Sequence, residues 1–362
     1  MNFNSKVIHG GVSEDKTTGA VSVPIYQTST YRQDEVGKDR GYEYSRTGNP
    51  TRHALETLIA ELEGGIAGFA FASGLAALST TLMLFKSGDH ILISDDVYGG
   101  TFRVVDKVFT NLGITYSSVN TSSNVNELEK YLLPNTKAIF IESPTNPLMK
   151  LTDLTEISKF AKKHNLISVV DNTFFTPYLQ RPIEHGIDIV VHSATKYLGG
   201  HSDVVAGLVV VNDINLKEKV QFLQNAVGAV LGPQDSWLLI RGIKTLSIRL
   251  ERAQDNTQKV IEFLRNHPKI QKIYYPNKGA MISFEVNSAQ AARKLLNSVK
   301  MIALAESLGG VESLISLPAA MTHASIPKDT RDKLGIKDSL VRLSVGIEDA
   351  EDIISDLKMG LE

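Results

Sequence analysis

The chain has 362 residues, 42% of them hydrophobic and 22% charged, which is ordinary globular composition. At about 150 residues per domain its length predicts two domains. A net charge of −2, without blocks of like charge, excludes the electrostatic footprint of a nucleic-acid or membrane-surface binder. The absence of cysteine excludes disulfides, thiolate nucleophiles and cysteine metal sites, and fits a reducing cytoplasm.

The opening MNFNSKVIHGG has no charged segment leading into an apolar one, so no signal peptide is expected. No run approaches the roughly eighteen apolar residues of a membrane span. Residues 1–50 show little periodicity and many polar and aromatic residues (YQTSTYRQ, YEYSRTGNPTR). With no apolar stripe of its own, this segment reads as an arm lying on something else, such as a neighbouring subunit. From about residue 65, short apolar runs alternate with longer amphipathic stretches. The runs are FAFAS (69–73), HILISDD (90–96), ITYSSVN (114–120), KAIFIESP (137–144), LISVVDNT (166–173), IDIVVHSA (187–194) and VVAGLVVVN (204–212). LAALSTTLMLF, FRVVDKVFTNLG and LTDLTEISKFAKKHN between them predict helices. Strands apolar on both faces and separated by helices predict an α/β fold with a mostly parallel sheet, whose ligands bind at the carboxyl ends of the strands. A long helical stretch follows from about 235. KIYYP, AMISFEV, MIALAES and LVRLSVGIE, alternating with SAQAARKLLNSV and DAEDIISDLKMG, predict a smaller α/β unit to the end. The expected organisation is an arm at 1–50, a large domain at 51–250 and a smaller one at 251–362.

The polar residues of interest stand at the strand ends. Ser73-Gly74-Leu75 turns from a strand into a helix, where free N–H groups meet an anion or a tight turn is made. Tyr98, before Gly99-Gly100, is either a ring that lies flat on a ligand or a half-buried loop tyrosine. Asn146 sits in the stiff turn ESPTNP. Asp171 ends an apolar strand, where an unpaired carboxylate is costly; it is a cap, an ion-pair member or the partner of a protonated ring nitrogen. Ser193, Thr195 and Lys196 end the next strand. A lysine in a dry pocket loses its proton more readily and becomes a nucleophilic amine. An amine, a carboxylate, an aromatic and an anion cradle on successive strand ends are together what pyridoxal 5′-phosphate requires.

Two rivals are weaker. Ser193-Ala194-Thr195-Lys196 matches the S-x-x-K of serine–lysine acyl transferases, but Ser202-Asp203-Val204 and Lys244-Thr245-Leu246 fail to complete that family's S-D-N and K-T-G. A non-catalytic binding module on the same scaffold is the other. No metal site is expected, since no H-E-x-x-H occurs and His192 and His201 lack an obvious third ligand.

SATKYLGGHSD, YSRTGNPTR, ASGLAA, DDVYGGT, ESPTNP, VVDNTF, AESLGGVESL and VRLSVGIED resemble the Cys/Met-metabolism family of pyridoxal-phosphate enzymes, from about residue 5 to the C-terminus. That family contains cystathionine γ-synthases, cystathionine β- and γ-lyases and methionine γ-lyases, and the likeness is strongest to the γ-lyases in AESLGGVESLISLPAAMTHASIP. The resemblance implies the aminotransferase-like fold (fold type I), a small amino-acid substrate and a homotetramer made of two active dimers. It implies that Lys196 carries the cofactor as a Schiff base and shuttles protons, with Tyr98 stacked on the ring and available as a proton donor. Asp171 would pair with the pyridine nitrogen, and Gly74, Leu75, Ser193 and Thr195 would hold the phosphate. Tyr44 and Arg46 would reach that phosphate from a neighbouring subunit. Arg342 would grip the substrate carboxylate, helped by Ser307 and Asn146. Glu43 and Glu306 match acidic positions that would attract the distal ammonium of cystathionine, or are solvated charges; Arg103 matches a substrate-side arginine, or is an exposed helix residue. Gly100 stands where methionine lyases carry cysteine. The implied reaction is α,γ-elimination of L-cystathionine, with hydrogen sulfide release from smaller thiols; β-elimination, γ-synthase and O-acylhomoserine thiol-lyase chemistry use the same core residues. The chain departs from the family at Tyr275–Ala280, a shorter connection than the usual glycine-rich one.

Overall fold

The structure is a computed structural model describing residues 1–11, 14–324 and 326–362; Ser325, within one of the resembling motifs, lies outside the described residues. The strands of the first half are β1 (Ala67–Phe71), β2 (His90–Ser94), β3 (Thr115–Val119), β4 (Thr136–Glu142), β5 (Ile167–Asp171), β6 (Ile189–Ser193) and β7 (Gly207–Val211). They form one seven-stranded sheet in the order β1-β7-β6-β5-β4-β2-β3. Pairing is parallel from β6 to β3, whereas β7 runs antiparallel to both β6 and β1. β1 therefore points the same way as β6, and the carboxyl ends of β1, β2, β4, β5 and β6 share one edge.

Both faces of this sheet are covered, as its doubly apolar strands require. Val190, Leu208 and Val210 pack with Leu55, Leu58 and Ile59 of the helix Pro50–Glu63, while Val191, Val209 and Val211 pack with Leu78 and Leu82 of the helix Gly74–Leu82. Successive residues alternate between the two sides because strand side chains have a period of two. The sequence places FAFAS two residues late: Ser73 leaves the strand because its hydroxyl caps the following helix, accepting the Ala76 N–H at 3.0 Å. FRVVDKVFTNLG is not one regular helix. After Gly99–Val104 the chain widens into a π turn at Val105–Phe109, where the Thr110 hydroxyl donates to the Asp106 carbonyl and competes with the backbone ladder.

The second sheet has five strands, β8 (Ile270–Tyr274), β9 (Met281–Val286), β10 (Ala303–Leu304), β11 (Leu314–Ser316) and β12 (Leu340–Ser344), ordered β10-β11-β12-β9-β8. Its pairing is antiparallel except between β10 and β11, and β11 is too short to stand out in the sequence. β8 and β9 form a hairpin across Tyr275–Ala280, with Asn277 and Gly279 at positive φ making the turn. The N-terminal segment is not wholly without a core. Phe3–His9 forms a helix whose Val7 is buried against Leu58 of the helix Pro50–Glu63. Residues 14–46 then run largely exposed, Val21 and Val36 included.

Candidate active site

The shared strand edge opens into a cavity of about 310 Å³ beneath the second sheet. Gly74, Leu75, Tyr98, Asn146, Asp171, Ser193, Thr195, Lys196, Glu306, Ser307 and Arg342 all line it. The elements that deliver them are the turn after β1, the turn after β2, the loop after β4, the ends of β5 and β6, the loop after β10, and β12.

Lys196 sits three residues past its apolar strand β6 and donates from Nζ to Ser307 Oγ at 2.8 Å. Burial, reinforced by the positive charge of Arg342 and opposed by Glu306, pushes its amine down to about 8. Arg342 is 2% exposed on β12, its Nη1 donating to Asn146 Oδ1 at 3.0 Å and its Nη2 to the Ser307 carbonyl at 3.1 Å. Burial lowers it to about 10, so it stays charged at neutral pH. Ser307, which links the two cations, is held at a φ of 106°, a strained conformation for a residue with a side chain.

Asp171 accepts the Thr173 N–H at 3.0 Å, and burial raises its pKa. Beside it across the ladder is Glu142, 6% exposed and also lining the cavity. At the other side, a Cβ on Gly74 would lie 2.8 Å from Ser193 Cβ, so only glycine brings this helix start against the hydroxyl. A Cβ on Gly100 would lie 2.3 Å from the Tyr98 ring, so the glycine leaves room for that ring along the wall.

These features fit pyridoxal phosphate. The start of a nine-residue helix with two hydroxyls suits a phosphate. Asp171, half-buried and in no ion pair among the described residues, suits a protonated ring nitrogen, and a lysine lowered by burial suits a carbonyl.

Four residues of the sequence reading lie elsewhere in this chain. Tyr44 is exposed, with the Arg46 guanidinium 5.6 Å from its ring centre, and Arg46 donates to the Asn225 side chain at 2.8 Å. Glu43 is exposed and lines a separate groove with Tyr42, His53 and Glu61. Arg103 is exposed on the helix Gly99–Val104.

Sequence reasoning missed Glu142, Thr173, Thr322 and His323. Thr173 accepts the Ser193 N–H at 2.8 Å and Thr322 lines the cavity. His323, fully buried, hydrogen-bonds the Asn146 carbonyl at 2.9 Å, and burial lowers it to about 4, which makes it a neutral donor. Glu142 was legible in principle, because it ends β4 as Asp171 ends β5.

Comparison with known proteins agrees with this geometry. The model for the Cys/Met metabolism PLP-dependent enzymes matches residues 4–362. The chain is 57% identical over 376 residues to a cystathionine β-lyase of Lactococcus lactis subsp. cremoris, covering 99% of both. It is 56% identical over 378 residues to a cystathionine γ-lyase of Bacillus subtilis, covering 100% of both. A crystal structure of cystathionine γ-lyase from Lactobacillus plantarum complexed with L-serine superposes with a TM-score of 0.97 at 51% identity, covering 99% of this chain and 98% of that one.

Proposed function

The chain belongs to the Cys/Met-metabolism PLP-dependent enzymes and is a carbon–sulfur lyase, and within that family we propose α,γ-elimination of L-cystathionine to cysteine, 2-oxobutanoate and ammonia. The observation that carries this reading is the pair of opposed charges in one cavity: Arg342 buried at its floor and Glu306 exposed at its mouth. Cystathionine has a carboxylate beside the reacting carbon and an ammonium at its far end, and matches both.

Gly74, Leu75, Ser193 and Thr195 hold the cofactor phosphate in this reading, Tyr98 covers the ring, Asp171 faces its nitrogen and Lys196 its carbonyl carbon. Bound pyridoxal phosphate supplies the electron sink for the pair left at the substrate's α-carbon. Arg342, with its fork preset by Asn146 and Ser307, receives the α-carboxylate and orients the α-proton toward Lys196. Lys196, a free amine once the substrate amine has taken its place, removes the α-proton. It hands that proton on to the former carbonyl carbon of the cofactor and, a free amine again, serves as base for the β-proton. Lys196 or Tyr98 returns a proton to the departing γ-sulfur. Cysteine and homocysteine enter the same cavity and release hydrogen sulfide.

Residues 51–250 then form the cofactor domain and 251–362 the smaller domain that carries Arg342. The exposed segment within 1–50 reaches a neighbouring subunit, bringing Tyr44 and Arg46 to that subunit's phosphate and Glu43 and Arg103 to the shared substrate entrance, in a cytoplasmic homotetramer.

A second reading, β-elimination, is favoured by the name of the 57% identical Lactococcus relative. Incubation with L-cystathionine and mass spectrometry of the keto acid separates them. 2-Oxobutanoate with cysteine supports γ-elimination, pyruvate with homocysteine replaces it by β-elimination, and neither product points to a synthase using an acylated homoserine.

A further inference from the structure

Glu142 has no part in the chemistry above, yet it stands at the centre of the site. It ends β4 in register with Asp171 at the end of β5, so two carboxyl groups, Glu142 buried and Asp171 half-buried, share adjacent positions on one edge. The ion pairs nearby join Lys150 to Asp95 and His192 to Glu63, and among the described residues none includes Glu142 or Asp171. From the turn after β2, Asp96 faces Glu142 as a further acid. From β12, Arg342 is within electrostatic reach, and its guanidinium is committed to Asn146 and Ser307. What Glu142 does touch is backbone. Its Oε2 accepts the Tyr98 N–H at 2.9 Å, and the Asn146 N–H lies against the same carboxyl.

We propose that Glu142 is a positioning residue, a carboxylic acid that keeps its proton and ties the backbones of Tyr98 and Asn146 to the cavity wall, leaving Asp171 as the single negative charge beneath the cofactor ring. Two unpaired carboxylates side by side in a buried site cannot both ionise without large cost, so one proton stays on the pair. Asp171 has a backbone N–H and hydroxyl bonding near it, and is the one that ionises. Burial first, and the charge of Asp171 second, raise Glu142 well above the ordinary carboxylate range. The division of labour matters because a second anion at this edge would compete with Asp171 for the ring proton, while an apolar residue would leave the Tyr98 N–H without a partner. This inference rests on the cofactor reading and not on the choice between β- and γ-elimination.

The test uses the holoenzyme and two variants, Glu142→Gln and Glu142→Ala. The infrared difference between parent and Glu142→Gln at pH 8 is expected to lose a carbonyl stretch of a protonated carboxylic acid; loss of a carboxylate band instead overturns the proposal. The cofactor dissociation constant, read from the visible absorption on dilution, is expected to stay within about twofold in Glu142→Gln and to weaken about tenfold in Glu142→Ala, the effect of one buried N–H left unpaired. Equal weakening in both variants, or none in either, overturns the positioning role. Should Glu142→Ala fail to fold, the infrared result on Glu142→Gln decides alone. Failure of the cofactor reading would show separately, as a parent protein with no visible absorption.

Discussion

Replacing Arg342 by lysine keeps a positive charge but removes the fork. In the structure Nη1 and Nη2 are already held by Asn146 Oδ1 at 3.0 Å and the Ser307 carbonyl at 3.1 Å, which fixes the guanidinium plane before substrate arrives. An ammonium cannot meet both protein acceptors and both oxygens of a carboxylate in one plane. At least one charge-assisted hydrogen bond to the substrate is lost, worth about 1.5–3 kcal/mol, or about 10- to 150-fold in kcat/KM. A second penalty adds to it. Burial already brings Lys196 down to about 8, and an amine at position 342 would share that buried cavity, so part of it would be neutral at working pH. Steady-state kinetics with L-cystathionine measure the loss, and cofactor absorbance and the thermal midpoint should stay near the parent's. A variant within threefold of the parent in kcat/KM, or one that has lost its cofactor instead of its substrate affinity, would refute the assignment of Arg342 to the carboxylate.

Lys196→Ala should leave no measurable turnover, and borohydride reduction should fix the cofactor to the parent chain alone; turnover of cystathionine at the parent rate would sink the lysine's role. In the apoprotein, burial and Arg342 disfavour the ammonium form, so neutral Lys196 appears as pH rises through about 8. Labelling of this lysine by an amine-directed reagent, followed by peptide mass spectrometry, should therefore rise around pH 8, two units or so below an ordinary lysine. Glu306→Gln should raise KM for cystathionine about 1.4- to 5-fold at low salt, the modest size expected of an exposed charge pair, and leave KM for homocysteine, which has no distal ammonium, unaltered. Equal changes for both substrates would remove Glu306 from substrate selection. Gly74→Ala forces a Cβ to 2.8 Å from Ser193 Cβ, and equilibrium dialysis should find cofactor binding weakened at least tenfold while the second sheet's stability is unmoved.

The stations at the strand ends were legible because each is local. A run of apolar, β-branched residues closed by Asp171, or by Ser193-Ala194-Thr195-Lys196, announces both the strand and its functional end. The same logic singled out only Asn146 in ESPTNP and passed over Glu142, the first residue of that stretch, although it ends β4 as Asp171 ends β5; its pairing with Asp171 is set by the strand register and not by neighbours in the sequence. The helix Phe3–His9 was illegible for a related reason: seven residues hold too little periodicity to register, and only the contact of Val7 with Leu58 fixes it. β11 escaped notice because three residues pair only when β12 is beside them.

By itself the sequence determined the alternation of strands and helices, the glycine turns and the order of the cofactor-facing residues, all of which depend on periods and turn chemistry within a few residues. The tertiary structure alone decided that Asn146, Lys196, Ser307 and Arg342 meet in one cavity, that Tyr44 and Arg46 lie outside it, and that two carboxyls stand side by side at its floor. Those outcomes depend on distance and on exclusion of water between segments far apart in the chain, and no short stretch of residues encodes either.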